Sequence, residues 1–68
     1  MAQKVIDVVG VSKDSFAKAA QNAAEEAAKT LHGIKWARVS EFEMSLDGGK
    51  VVEYRATAKI YFDLERGK

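Results

Sequence analysis

The 68-residue chain has no cysteine, no proline and one histidine, and its 11 basic against 10 acidic residues give a formal net charge of +1. This excludes disulfide bracing, thiolate metal sites and imidazole clusters, and signs interleaved along the chain argue against nucleic-acid binding, which favours a clustered basic face. A single domain spanning residues 1–68 buries too little surface to have much stability to spare, so self-association is the expected remedy.

Met1 to Gly10 places Asp7 within a short Val/Ile stretch, which does not fit a signal peptide, and no run approaches the roughly 20 apolar residues of a membrane span. A cytoplasmic protein without a membrane partner is the expectation.

Lys4 to Val11 is rich in β-branched residues and closed by Gly10, which predicts a strand over about residues 3–9. Ser12 reads as the N-cap of a following helix, with Asp14 near the positive end of its dipole. The helix is expected from about Lys13 to Leu31. Phe16, Ala19, Ala20, Ala23, Ala27 and Leu31 recur on one face. Most of that stripe is alanine, which lets a sheet approach closely. Glu25 and Lys29 stand in the favourable i,i+4 order, and Gly33 reads as a left-handed stop with His32 facing the last carbonyls.

The remainder reads as a hairpin of residues 34–46 and 51–64 around Asp47-Gly48-Gly49-Lys50, whose adjacent glycines supply the positive φ angles of a tight turn. In the second arm Val52, Tyr54, Ala56, Ala58, Ile60, Phe62 and Leu64 alternate with Glu53, Arg55, Thr57, Lys59, Tyr61 and Asp63, a strand with one face toward the helix. The first arm changes phase: Phe42, Met44 and Leu46 are even-numbered, while Ala37 and Val39 are odd-numbered. A β-bulge within Arg38 to Glu41 reconciles the halves. Ala37 and Val39 then join the helix side, and Trp36 turns to the face carrying Arg55, Thr57 and Lys59. Without a bulge Trp36 packs near Ile60. The order is strand, helix, strand, strand, an α+β fold whose three-stranded sheet has one face uncovered, and the last strand is the expected central one.

Three segments in this order and spacing resemble the dodecins, small flavin-binding proteins: Val5-Ile6-Asp7-Val8-Val9-Gly10-Val11-Ser12, Trp36-Ala37-Arg38-Val39, and Tyr54-Arg55-Ala56-Thr57-Ala58-Lys59-Ile60-Tyr61-Phe62. The resemblance runs nearly end to end. It implies a βαββ subunit, an antiparallel sheet wrapped around one helix, and a hollow homododecamer. It further implies riboflavin, FMN or a related isoalloxazine stacked on tryptophans from two subunits, for storage and photochemical protection without catalysis.

Trp36 matches the stacking tryptophan. Arg55 departs from the glutamine usual at its place in the family, which hydrogen-bonds the polar edge of the flavin ring; arginine donates to that edge but cannot accept from it. The departure leaves a second ligand open, a divalent cation such as calcium, for which Glu41, Glu43, Asp47 and Glu53 offer oxygen donors. Plainer readings stand beside these. Trp36 also fits a core or interface residue; Arg55 fits an ion pair with Glu41, Glu43 or Glu53, or a cation-π lid over Trp36. The carboxylates fit a solvated strand face. No Ser/His/Asp, Cys/His or positioned acid-base pair is visible, and Gly48-Gly49 suits a turn better than a phosphate loop, so an enzyme is not expected.

Overall fold

The computed structural model describes residues 2–64. Strand β1 (Gln3–Ser12) leads to helix α1 (Phe16–Ala28), and strands β2 (Ile34–Asp47) and β3 (Lys50–Asp63) form the long hairpin. The sheet is antiparallel in the order β1-β3-β2, so the last strand is the central one, as the sequence predicts, although its expected alternation holds only from Glu53 onward and breaks at Val52. Gly48 and Gly49 have φ of 58° and 81°, the left-handed backbone of a two-residue hairpin turn.

The helix start differs from the expectation. Ser15, not Ser12, is the N-cap, its hydroxyl accepting from the Lys18 amide at 3.0 Å. Ser12 is the last residue of β1, and its Oγ accepts from the Asp14 amide at 2.9 Å. Two serines three residues apart compete for one role. The strand runs on until Ser12 is buried, and its hydroxyl then folds the connection back on itself. Asp14 therefore precedes the cap. The helix also ends earlier than expected, at Ala28; Thr30 and Leu31 donate to the Ala27 carbonyl in a closing turn, and Gly33 takes its positive φ of 76° five residues beyond the helix. Lys29 pairs with Glu26 at 3.1 Å, and not with Glu25.

The alanine stripe brings the helix backbone onto the sheet. Ala19, Ala23 and Ala27 are buried against Ala56, Ala58 and Ile60, with Ile6, Val8, Leu31 and Ile34 around them. Closest approach falls at Gly10, where an added Cβ would stand 1.9 Å from the Ala19 carbonyl oxygen and 2.6 Å from the Ala23 nitrogen. Glycine is the side chain that this crossing admits. Asn22 Nδ2 donates to the Val11 carbonyl at 2.8 Å and ties the helix to the end of β1.

The helix lies over β1 and β3 and barely touches β2. Thirteen residues of helix span about 20 Å, whereas the hairpin accounts for most of a 56 Å long axis. Phe16 makes one link outward, its ring edge-on to Phe42 at 5.1 Å and to Tyr54 at 5.0 Å. Beyond it the helix-side residues Phe42, Met44, Leu46 and Val51 lie bare, Phe42 at 57% and Leu46 at 60% exposure, and Val52 beside them is exposed as well.

Candidate functional site

The face of the sheet away from the helix is set by three register shifts in the hairpin. A two-residue turn pairing Asp47 with Lys50 would, if continued unbroken, oppose Phe42 to Arg55 and mix the apolar and polar faces. An extra residue on β3, Val52, shifts the ladder so that Met44 opposes Tyr54 and Phe42 opposes Ala56. An extra residue on β2, Ser40, shifts it back between Val39 and Glu41, inside the predicted Arg38–Glu41 interval. Its hydroxyl contacts the Thr57 carbonyl at 3.4 Å. Ala37 then opposes Ile60 and Val39 opposes Ala58 on the helix side, as expected, while Trp36 opposes Tyr61 on the outer face. A third shift, at Lys35, returns Ile34 to the core beside Phe62.

Trp36 is 63% exposed, and the reading that packs it near Ile60 is excluded. The outer face is a grid of rungs across β1, β3 and β2. Val5, Tyr61 and Trp36 form an apolar and aromatic rung; Asp7, Lys59 and Arg38 form the next; Val9, Thr57 and Glu41 follow, and then Val11, Arg55 and Glu43. Tyr61 is the neighbour that the sequence reading placed on this face without pairing it to Trp36. The pairing follows from the register: the shifts at Val52 and Ser40 cancel, so Trp36 and Tyr61 stand opposite as in an unbroken count from the Asp47–Lys50 turn.

Arg55 lies on the outer face, but not beside Trp36. Six residues along β3 separate it from Tyr61, about 20 Å at the rise of an extended strand. Within one protomer the two residues cannot touch the same ring, and Arg55 cannot lie over Trp36 as a cation-π lid. Instead Arg55 Nε donates to Glu53 Oε2 at 2.8 Å, and Glu43 stands opposite. The ion pair weighed from sequence therefore forms. Lys59 Nζ reaches Asp7 Oδ1 at 3.2 Å.

Among the described residues there is no enclosed pocket and no group of three acidic or histidine side chains placed to hold a metal within the protomer. No described helix is long and apolar enough to cross a membrane. What this face offers is flat: an indole beside a tyrosine on a bare sheet.

A short strand-helix-hairpin subunit, its sheet covered on one face and its tryptophan turned outward, defines the class of small α+β proteins to which the chain belongs. The family it belongs to is the dodecins, whose sequence profile, "Dodecin", matches residues 2–65. The chain is 34% identical to calcium dodecin of Mycobacterium tuberculosis over 61 residues, 90% of this chain and 86% of that one. It is 32% identical to a dodecin of Thermus thermophilus over 62 residues, 91% of this chain and 90% of that one. The solved dodecin of Streptomyces davaonensis superposes with a TM-score of 0.89 at 31% identity, covering 96% of each chain. The βαββ subunit expected from sequence is thus the family's fold.

Proposed function

We propose that the chain assembles into a hollow homododecamer that sequesters flavin without turning it over, with Trp36 stacking on the isoalloxazine ring. The observation that carries this reading is Trp36 itself, 63% exposed on the outer sheet face and opposite Tyr61. A large aromatic side chain left bare by two strand bulges fits a flat aromatic ligand, to which it offers broad contact at little conformational cost. The bare helix-side residues of the hairpin support assembly of several copies. Bound flavin would have its excited state quenched by the stacked indole, which suits storage and protection from light.

Arg55 enters this site only from a different copy than the stacking Trp36, given their separation along β3. Its Nε is engaged by Glu53; its terminal guanidinium nitrogens are the donors left to face a flavin carbonyl or ring nitrogen. The test is Trp36→Ala. Flavin-emission quenching is expected to disappear while the sedimentation coefficient of the assembly stays unchanged; quenching at wild-type strength overturns the stacking role.

A second reading, a dodecin shell that holds calcium, is favoured by the 34% identity to calcium dodecin. Because the described residues of one protomer do not gather three acidic groups, such a site would draw Glu41, Glu43 or Asp47 from several copies. It requires millimolar calcium to raise the melting temperature by linkage, with flavin giving no shift. The bare tryptophan favours flavin.

A further inference from the structure

The rung beside Trp36 carries an unusual pairing. Arg38 stands directly opposite Lys59 on the outer face, with no register shift between this pair and the Trp36–Tyr61 pair. Like charges directly opposed across an antiparallel pair are destabilising. Asp7, the third residue of the rung, bonds to Lys59 at 3.2 Å, and Arg38 takes part in none of the ion pairs formed among the described residues. One carboxylate therefore answers two cations. Arg38 is exposed and two residues from Trp36, about 7 Å along the strand.

Resting on the flavin reading of Trp36, we infer that Arg38, assisted by Lys59, is a phosphate-recognising subsite that makes the site selective for the mononucleotide, FMN, over riboflavin. A flavin stacked on Trp36 carries a flexible ribityl chain that can span one rung. Its terminal phosphate dianion supplies the charge that the Arg38–Lys59 pair lacks, and a guanidinium meets phosphate through two parallel N–H donors. Asp7 limits the effect, since it draws Lys59 away, so Arg38 contributes most of the selectivity. Riboflavin makes the same ring contact and leaves the pair uncompensated.

The experiment compares riboflavin and FMN on the assembled protein by fluorescence titration, at low and at high salt. FMN should bind about tenfold more tightly than riboflavin at low salt, the scale of one charge-assisted contact. In Arg38→Gln this preference should fall below about threefold while riboflavin affinity stays unchanged, and Arg38→Glu should reverse it. High salt should shrink the wild-type preference as Arg38→Gln does. Equal affinities in the wild type, or a preference that survives Arg38→Gln, overturns the phosphate subsite and leaves the flavin reading intact. Failure of both riboflavin and FMN to bind overturns both readings.

Discussion

Gly10→Ala tests the packing on which the sheet's outer face depends. The new Cβ would stand 1.9 Å from the Ala19 carbonyl oxygen and 2.6 Å from the Ala23 nitrogen. Both obstacles are backbone within one helix, so no rotamer change relieves them. Relief requires α1 to retreat by roughly 1.5 Å, the difference between 1.9 Å and an ordinary contact of about 3.4 Å. That retreat unseats Ala19, Ala23 and Ala27 together from Ala56, Ala58 and Ile60, and gaps of even 0.5–1 Å forfeit roughly a quarter to a half of each dispersion contact. Overpacking typically costs about 1–3 kcal/mol, and two rigid backbone obstacles in the one helix put this site at about 3 kcal/mol or more. At about 4 °C or more per kcal/mol for a domain of this size, the melting temperature should fall by at least about 12 °C. Thermal melts followed by circular dichroism read this directly, with Gly49→Ala as a control in which a new Cβ meets only open space. A melting temperature within about 2 °C of wild type for Gly10→Ala would refute the close helix crossing.

Gly49→Ala itself should cost only the strain of holding alanine at a φ of 81°, about 1 kcal/mol, seen as a small fall in melting temperature. Lys59→Gln removes an ion pair whose side chains are 40% and 60% exposed, so stability should change by less than about 1 kcal/mol in urea unfolding. Phe42→Ser takes an aromatic ring from the bare side of the hairpin; sedimentation should show smaller species at micromolar concentration, and an unchanged assembly would place the subunit contact elsewhere. Deleting Ser40 takes out the extra residue and leaves Val39 opposite Ala58 and Trp36 opposite Tyr61, so flavin quenching should survive; its loss would contradict the bulge at Ser40.

The parts legible in the sequence are those where one period dominates. Alternation along β3 identifies the central strand, the alanine stripe identifies the buried helix face, and the change of phase between Val39 and Phe42 places a bulge within Arg38 to Glu41, where the structure has it at Ser40. Trp36 on the outer face follows from that bulge. Local chemistry with two equivalent solutions was less legible. Ser12 and Ser15 can each cap a helix, and only the length of β1, fixed by pairing Ser12 with Tyr54, decides between them. The extra residue Val52 hides beside Val51, because two adjacent apolar residues near a turn do not reveal which one leaves the ladder. The distance between Trp36 and Arg55 is a matter of register. Residues that share a face in the sequence pattern lie about 20 Å apart along the strand.

The central claim, that Trp36 is the plane on which flavin rests, is tested most directly by titrating the ligand-stripped assembly with riboflavin while following flavin and tryptophan emission together. Trp36 is the single tryptophan in the chain, so its emission reports one site. Saturable quenching of both signals with one midpoint is the predicted result. Unchanged tryptophan emission, with flavin fluorescence undiminished up to about millimolar protein, the edge of weak binding, would contradict it.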